Sequence, residues 1–507
     1  MMIPHPLRSL KPSLHRHAMF HRREGLTARK RGAFLDTIVC QGLVSLLVWT
    51  PLAFGAVHPW AYALMELHIV ALIMAWMVQI IGSRRLSSTS RPANRFAPMQ
   101  FTLPLALFIA LLVLQLIPLP AAVLQHVSPS TYALYNLFHP DWPNVRSTLS
   151  LHPYATYMEF TKFLAYAGLF CCTINILRSR RRIRYVSLAI VGVATGMALI
   201  GIVQHLAGMT AVYGWRDASY TNFFGPFLNR NHFAAYQSMA ILLGLGLFLA
   251  PTAQTSPVPS PLSLRVWLSH PSTGQRLLLL FALSVMTGAL VLSLSRGGVI
   301  GFLAGLALLL LLLRQHRAGN RTRMLLALVV LAAMSLWLGL TPLLERFMHN
   351  VHGGPTLTWG ERLSVYQATW NITQDFPLFG IGLEAFPVIF PRYQPTDVRL
   401  HYLQAHNDVL QLLAETGWIG FLSLLGSLLS LITAIVKRWR QRHDPFVHAI
   451  VPAGLAAFCA IALQSFVDFS LRIPANALLL TVILALTFAC ANLPRHGLRH
   501  GERQHEV

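Results

Sequence analysis

Long stretches without a charged residue recur along the chain and constrain its fold more than any other feature. One of them, "VIGFLAGLALLLLLL" at 299–313, is almost entirely aliphatic. An α-helix rises about 1.5 Å per residue, so about 20 apolar residues cross the hydrocarbon core of a bilayer. Of the 507 residues, 54% are hydrophobic and only 11% are charged, too few to solvate such helices in water. The sequence therefore predicts a polytopic membrane protein.

Charged segments and segments with Pro or Gly separate the apolar stretches, which gives about twelve candidate spans. The first is expected to be a retained anchor rather than a cleaved signal peptide, because it is long and another span follows it. The predicted fold class is an all-α transmembrane helix bundle. The spans are predicted near 35–56, 61–82, 99–118, 156–177, 185–208, 231–251, 277–294, 298–313, 324–341, 409–436, 446–466 and 475–492.

The distribution of Lys and Arg predicts how the bundle is oriented. Thirty of the 40 basic residues lie in seven blocks that fall on one membrane side if the spans alternate. By the positive-inside rule this side is the cytoplasm, with both termini inside. The net charge of +23 then reflects topology and attraction to anionic lipid, and no nucleic-acid partner is expected, because the short basic loops lack interleaved aromatics. The predicted divisions are a cytoplasmic tail (1–33), nine spans (34–341), a large periplasmic loop with short helices (342–405), three spans (406–492) and a cytoplasmic tail (493–507).

Ten basic residues are not explained by this orientation, because nearly all of them lie at or beyond the opposite membrane face. Placing cations there runs against the insertion bias, so we expect several of them to bind an anionic group. They are Arg146, Lys162, Arg216, Arg230, Arg296, Arg346, Arg362, Arg392, Arg399 and Arg472.

The cysteine pattern and the common nucleotide motifs argue against several kinds of site. All five cysteines lie inside predicted spans, and the sequence has neither CxxC pairs nor zinc-ligand spacings. It also lacks a P-loop, a GxGxxG after a strand and a GxSxG motif. We therefore expect no metal, no redox chemistry, no bound ATP and no other cofactor.

The large predicted loop contains a helical stretch, "ERLSVYQATWNITQDFP", with Leu363, Tyr366 and Trp370 on one face. This stripe is typical of an interfacial helix that rests on the membrane. Arg362 at its start can bind a lipid phosphate or a substrate anion, and we favour the substrate. The two glycines of the following "PLFGIGLEAF" indicate close backbone packing rather than a phosphate loop.

Two short segments place an arginine beside the start of a predicted span. "FLNRNHFAAY" carries Asn229, Arg230, Asn231 and His232 in succession, which is more than a helix cap requires. Arg230 is a candidate for binding pyrophosphate, and a capped helix with an interfacial Arg is the alternative. "SLSRGGVIG" puts Arg296 in a very short link, where burying a cation costs about 2.5 to 3.5 kcal/mol and favours a cavity with a partner. Snorkelling to lipid headgroups is its alternative.

The stretch "HNDVLQLLAETGWIG" at 406–420 begins with polar residues and continues as an apolar helix. Asp408 and Gln411 are predicted to cap its start, the Asp accepting from a helix amide and the Gln reaching back. The cap does not require His406. The positive helix end and nearby arginines disfavour imidazolium, so we expect a neutral His406 that can accept a proton. From this stretch alone, a polar boundary residue is the simpler interpretation.

These segments together resemble the O-antigen ligase superfamily. His406, Asn407, a nine-residue gap, Gly417, two residues and Gly420 match its signature. "FLNRNHFA", "SRGG", "RLSVYQATW" and "PLFGIGLEAF" resemble its recurring blocks in the expected order, over roughly 200–436. "VDFSLRIPANA" near the end and "PLAFGAVHPWAY" near the start resemble a ligase-like subgroup linked to exopolysaccharide loci.

The resemblance implies a GT-C-like, metal-independent glycosyltransferase on the periplasmic face of a bacterial inner membrane. Such enzymes move a glycan from undecaprenyl pyrophosphate to lipid A core, to another repeat unit in polymerases, or to a protein hydroxyl. The implied partners are the lipid-linked glycan donor, lipid A core or another glycan acceptor, and membrane lipids, in lipopolysaccharide or exopolysaccharide biosynthesis. A polymerase is the alternative within the superfamily. A transporter that moves a lipid-linked sugar without forming a bond is the alternative from another class.

Applied to this sequence, the resemblance implies His406 as the general base, with Arg230 and Arg296 holding the donor pyrophosphate. Asp408 is expected to support the histidine and the helix start. Glu415 is expected to pair with an arginine, because an unpaired carboxylate inside the membrane is costly. The remaining candidates for substrate binding are Arg362, Arg392, Tyr393, Asn229, Asn231, His232 and Asn407.

Overall fold

The computed structural model describes residues 35–86, 99–218, 222–251, 273–314, 359–395 and 402–494. These residues form 15 helices, which confirms the predicted all-α bundle, together with one two-residue-per-strand hairpin that was not predicted. The predicted span 324–341, the 1–33 tail, and Arg346 and Arg399 lie outside the described residues.

Nine of the described helices are long and apolar enough to cross a membrane. They coincide with nine of the predicted spans. Two further predicted spans, 99–118 and 156–177, are also helical, as α3 (Met99–Leu116) and α6 (Pro153–Ile176). The nine are α1 (Leu35–Leu52), α2 (Pro59–Leu86), α7 (Arg180–Leu206), α8 (Arg230–Leu249), α9 (Thr273–Leu292), α10 (Arg296–Leu313), α13 (Asp408–Arg440), α14 (Pro445–Gln464) and α15 (Pro474–Ala491).

Four shorter helices and the hairpin lie between predicted spans, within residues 119–155, 209–230 and 342–405. Two of these helices, α11 (Trp359–Asp375) and α12 (Phe386–Tyr393), pack against α13 in a small core, and its buried residues include Val365, Ile372, Phe386 and Phe390. The elements are α4 (Ala121–Val127), α5 (Pro129–Phe138), β1 (Ala211–Val212) paired antiparallel with β2 (Arg216–Asp217), α11 (Trp359–Asp375) and α12 (Phe386–Tyr393).

Small residues let the central helices approach closely. Residues 232–249 of α8 are all buried, and the helix packs against α7, α9, α10 and α14. On α10, a Cβ atom at Gly301 would lie 2.6 Å from the Ala460 carbonyl oxygen, and one at Gly305 would lie 2.7 Å from that of Ala456. Between membrane helices, where lipid is as apolar as the side chains, such close packing drives association. These contacts join α10 to α14, and a Cβ atom at Gly298 would lie 2.4 Å from that of Ala234, so the starts of α10 and α8 are also closely packed.

Helix α13 is interrupted at Gly417, whose φ of 62° and ψ of −177° are outside the helical region. The carbonyls of Ala414 and Glu415 accept from the amides of Ile381 and Gly382, at 3.1 and 2.9 Å, instead of from the next helical turn. The Trp418 amide donates in turn to the Pro377 carbonyl at 2.8 Å. An interrupted membrane helix is tolerated where another segment satisfies the backbone in this way.

The segment before α12 fits against this interruption because two glycines leave it space. Gly380 has a φ of 68°, and a Cβ atom there would lie 2.4 Å from the Glu415 backbone. A Cβ atom at Gly417 would lie 2.3 Å from the Leu378 carbonyl oxygen. The predicted close packing of "PLFGIGLEAF" is thus confirmed. Its consequence is that the segment between α11 and α12 is joined to α13 within about three turns of His406.

Replacing Gly417 by alanine is expected to destabilise the protein. The backbone conformation at Gly417 is one that only glycine adopts readily, and its loss costs about 1 to 3 kcal/mol before any clash. Gly196→Ala is the matched control, because Gly196 is helical and a Cβ atom there has nothing within 4 Å. Thermal unfolding of the detergent-solubilised variants should show a lower Tm for Gly417→Ala alone. Equal Tm values for both variants would contradict the argument.

Candidate functional site

Four membrane helices start around one short segment, residues 465–473, which connects α14 to α15 and is called the link below. Gln464 at the end of α14 donates from Nε2 to the Asn231 carbonyl of α8 at 2.9 Å. The Asp408 amide of α13 donates to the Ser465 carbonyl at 2.8 Å. Asn476 of α15 donates from Nδ2 to the carbonyls of His232 and Ser470, both at 3.1 Å. Helix N-termini carry partial positive charge, so this surface favours anions.

The starts of α8 and α10 touch each other. The Asn229 side chain caps α8 by accepting from the Asn231 amide at 2.8 Å, and the Ser295 side chain caps α10 by accepting from the Gly298 amide at 3.2 Å. The Ser295 hydroxyl donates to the Asn231 side chain at 2.9 Å. Arg230 and Arg296 are the first residues of these two helices. Two arginines therefore flank two adjoining helix N-termini.

The predicted cap of α13 is wrong in its residue. Asn407, not Asp408, caps the helix, because its Oδ1 accepts from the Leu410 amide at 2.9 Å. Asp408 is buried and accepts from the Leu471 amide of the link at 2.9 Å. Gln411 does reach back, but its Oε1 accepts from the Ala405 amide at 2.8 Å. The sequence pattern missed this because the partner of the Asp408 side chain, the Leu471 amide, lies 63 positions later in the chain.

His406 precedes this helix in an uncommon backbone conformation, with φ of 54°. A residue other than glycine holds such a conformation only when its surroundings fix it, and functional sites are where such residues occur. Here the Tyr366 hydroxyl donates to the His406 carbonyl at 2.9 Å. The imidazole meets the Phe469 ring edge to face at a centroid distance of 4.8 Å and the Tyr402 ring at 6.2 Å. The ring is therefore in contact with aromatic side chains from two segments, and Tyr366 from a third segment holds the backbone.

The surroundings of His406 keep its imidazole neutral. Burial lowers the pKa of His406 from 6.5 to about 4, with further lowering by the charges of Arg362 and His232 and an opposing effect of Asp468. The neutral state agrees with the sequence-based expectation, but burial rather than the helix dipole is its main cause. A neutral imidazole at physiological pH can accept a proton.

Arg362 lies against the link. Its Nη1 donates to the Val467 carbonyl at 2.9 Å. Tyr366 follows it by four residues and so occupies the same face of α11, where it holds His406. Leu363 and Trp370, the other two residues of the predicted stripe, are 63% and 41% exposed. One edge of the stripe thus contacts the site, and the other is exposed.

Two predicted site residues are placed elsewhere. Tyr393 donates its hydroxyl to Asp375 and lines a groove of about 380 Å³ with Leu363, Gln367 and Asn371 of α11. Successive residues of an α-helix are 100° apart, so this groove is on a different face from Arg362. Arg392, at the end of α12, is exposed. The contacts described here join neither residue to His406.

Three residues of the link were not predicted as part of the site. Phe469 lies between the imidazoles of His232 and His406, at centroid distances of 4.7 and 4.8 Å. Asp468 is 2% exposed, and Arg472 forms ion pairs with Glu384 and Glu415. The one available signal was Arg472, which was among the ten basic residues that orientation left unexplained.

The described residues contain no group of three or more His, Cys, Asp or Glu side chains that could hold a metal ion. The comparisons with known proteins bear on a defined part of the chain. Residues 281–425, from within α9 to the first half of α13, match the family model described as O-antigen ligase. No curated protein matches the sequence. The matched region contains Arg296, Arg362 and His406.

Protonation of His406 is expected to destabilise the folded protein. Because the folded-state pKa is about 4 and the ordinary value is 6.5, the unfolded chain binds more protons at this site between those pH values. Stability is therefore fully present above about pH 6.5 and falls as the pH is lowered, by up to about 3 kcal/mol for this residue. Tm values at about pH 7 and pH 4.5 should drop further for the wild type than for His406→Gln. Parallel pH profiles of the two proteins would refute this.

Proposed function

We propose that the chain, whose residues 281–425 match the O-antigen ligase family model, transfers a glycan from undecaprenyl pyrophosphate to an acceptor hydroxyl. The observation that carries this proposal is a neutral, buried imidazole, His406, beside a set of helix N-termini that bear arginines. This combination suits a reaction that removes a proton on one side and develops negative charge on the other.

We place the reaction on the periplasmic face of a bacterial inner membrane. The Lys- and Arg-rich blocks predict the cytoplasmic side, and the four helix starts around the link belong to the opposite ends of those spans. Both termini would then be cytoplasmic. The lipid-linked donor, whose prenyl chain lies in the bilayer, would reach the site laterally between the helices.

His406 would act as the general base. The acceptor O–H gives its proton to the imidazole, and its oxygen attacks the anomeric carbon of the donor sugar. The bond between that carbon and the pyrophosphate oxygen breaks, so a glycosidic bond forms and undecaprenyl pyrophosphate leaves. Burial keeps the imidazole in its neutral form, which can accept a proton, throughout the physiological pH range.

Arg230 and Arg296 would hold the donor pyrophosphate. Both begin helices whose N-termini adjoin through the Ser295 to Asn231 hydrogen bond of 2.9 Å. Fixed cations and helix N-termini stabilise the charge that grows on the leaving pyrophosphate, and they require no rearrangement during the reaction. The pyrophosphate would therefore be bound at the starts of α8 and α10, and the general base would lie just before α13.

The other predicted residues would support these two functions. Arg362 lies where it can reach the acceptor or the diphosphate beside His406. Asn229 and Asn407 cap the starts of α8 and α13, and the Asn231 side chain accepts from Ser295 at the start of α10, so these residues fix the arginines and the base. His232 lies on the opposite side of Phe469. Arg392 and Tyr393 are proposed to contact parts of the acceptor remote from the reacting hydroxyl. Asp408 ties the base to the link.

The acceptor is proposed to be lipid A core or another glycan, in lipopolysaccharide or exopolysaccharide biosynthesis. Purified protein supplied with an undecaprenyl-pyrophosphate glycan distinguishes the alternatives. Transfer of one glycan to an added acceptor is expected from a ligase, and a ladder of growing products from a polymerase. Movement of the lipid-linked sugar across the bilayer of a vesicle without any new glycosidic bond would identify a transporter and overturn the proposal.

His406→Ala is expected to lower kcat by about 10²- to 10⁴-fold, because general-base catalysis contributes about that much. His126→Ala is the matched control. His126 is exposed on α4, where its ring nitrogen contacts only the Ala122 carbonyl among the described hydrogen bonds. The rate of glycan transfer is measured with the same donor and acceptor for both. Wild-type turnover by His406→Ala would remove the histidine from the mechanism.

Arg296→Gln is expected to lower kcat by about 10²- to 10³-fold, the usual loss when one charge-stabilising donor is removed. The control is Arg181→Gln, since Arg181 is exposed near the predicted cytoplasmic end of α7. Transfer rates of the two variants are compared at saturating donor. An equal effect of both substitutions would indicate a general charge effect instead of a pyrophosphate site.

A further inference from the structure

Arg472 of the link forms a double ion pair that joins three separate parts of the chain. Its Nη1 donates to Glu384 Oε2 at 2.7 Å, and its Nη2 donates to Glu415 Oε2 at 2.6 Å. Glu384 lies just before α12, and Glu415 lies two turns into α13. The side chain of Glu415 is 0% exposed, and those of Arg472 and Glu384 are 16% and 29% exposed. The guanidinium is therefore shielded from bulk water.

Hydrogen bonds occupy the other oxygen of each carboxylate. Gln404 donates to Glu384 Oε1 at 2.7 Å, and Gln411 donates to Glu415 Oε1 at 2.9 Å. Gln411 also donates to Gln404 at 2.6 Å, which connects the hydrogen bonds at Glu384 to those at Glu415. All four carboxylate oxygens thus accept a hydrogen bond. Burial opposes the charge of Arg472, but the two carboxylates outweigh it and raise its pKa. A buried polar network that is fully satisfied in this way fixes one arrangement of its members.

This network holds the part of the chain that touches the proposed base. Phe469, three residues before Arg472, meets the rings of both His232 and His406. The Val467 carbonyl accepts from Arg362, and the Leu471 amide donates to Asp408. Gln464 and Asn476, which flank the link on its two sides, donate to the Asn231 and His232 carbonyls and so hold it against the start of α8. A shift of Arg472 would therefore move Phe469 relative to the imidazole.

We propose that Arg472 is a positioning residue for glycan transfer. By bridging Glu384 and Glu415 it fixes the link so that Phe469 covers His406 and holds its ring toward the acceptor. The role in transfer rests on the proposed function, whereas the geometric effect on His406 does not. Displacing a reacting group by about 1 Å can cost about 100-fold in rate, so loss of this bridge should reduce kcat.

A purely stabilising role makes a different prediction, and charge balance separates the two. Arg472→Gln leaves two carboxylates without their cation, one of them fully buried, so it destabilises the fold whatever Arg472 does for catalysis. The double variant Arg472→Gln, Glu415→Gln removes one buried charge with its partner. It restores charge balance at Glu415 but not the bridge to Glu384.

The experiment uses the full-length protein in detergent or nanodiscs with an undecaprenyl-pyrophosphate glycan and an acceptor. We expect the double variant to recover most of the Tm lost in Arg472→Gln and to keep the wild-type KM for the donor. Its kcat should stay about 10- to 100-fold below the wild type, by the loss of alignment. Wild-type kcat in the double variant would reduce Arg472 to a charge-balancing role and overturn the proposal.

A second variant serves if the double variant does not fold. Arg472→Lys keeps the positive charge, but a single ammonium lacks the planar fork that reaches both carboxylates. We expect this variant to fold and to show the same selective loss of kcat. Wild-type kcat with Lys at this position would also overturn the proposal.

A measurement that needs no turnover separates this proposal from the proposed function. Diethyl pyrocarbonate modifies neutral imidazoles, and mass spectrometry reports the extent at each histidine. Modification of His406 should be severalfold faster in the double variant or in Arg472→Lys than in the wild type, while the exposed His126 reacts equally in all. An unchanged rate at His406 rejects the positioning role even if transfer occurs. A faster rate, in a protein that forms no glycosidic bond, leaves the positioning intact and rejects the proposed function.

Discussion

The convergence of four helix N-termini on the 465–473 link is the constraint on which the rest of the site depends. The first amides of a helix have no partner within it, and beside a membrane they must find one in the protein. Here the Asn229, Ser295 and Asn407 side chains cap three of the helices. Backbone groups of the link take up the flanking Asp408 amide and the Asn476 side chain. Partial positive charge from four helices is thereby gathered in one place, where an anionic substrate can use it.

The interruption of α13 connects the helix starts around the link to α11 and α12. A continuous helix would satisfy its own carbonyls at Ala414 and Glu415, and no segment could dock there. Because Gly417 breaks the hydrogen-bond pattern, those carbonyls accept from Ile381 and Gly382 instead. The docking carries Glu384 toward Arg472, so the same break that admits the segment also completes the double ion pair. The break at Gly417 therefore accounts both for the docking of the segment and for the double ion pair of Arg472.

Local patterns predicted the parts of the site that are determined locally. Asn229 before a span and the polar start at His406 both mark helix N-termini, because caps depend on residues within a few positions. Asp408 followed the same logic and was assigned wrongly, since a link amide far along the sequence is its partner. Phe469 and Arg472 were missed for the same reason: their contacts with His406, Glu384 and Glu415 span 57 to 88 positions, and only the tertiary fold brings them together.

The neutrality of His406 shows why this long-range packing matters for chemistry. The sequence suggested that the helix dipole and nearby arginines would keep the imidazole uncharged, and the charge of Arg362 acts in that direction. Burial, to which Phe469 and Tyr402 contribute, lowers the pKa of His406 more than that charge does. The charge of the nearby Asp468 partly opposes this lowering. In the proposed reaction a cluster of positive charge that is open to water would leave the base hydrated and weakly oriented. The aromatic rings of Phe469 and Tyr402 cover His406, so one cluster would be able to bind an anion and still retain a proton acceptor.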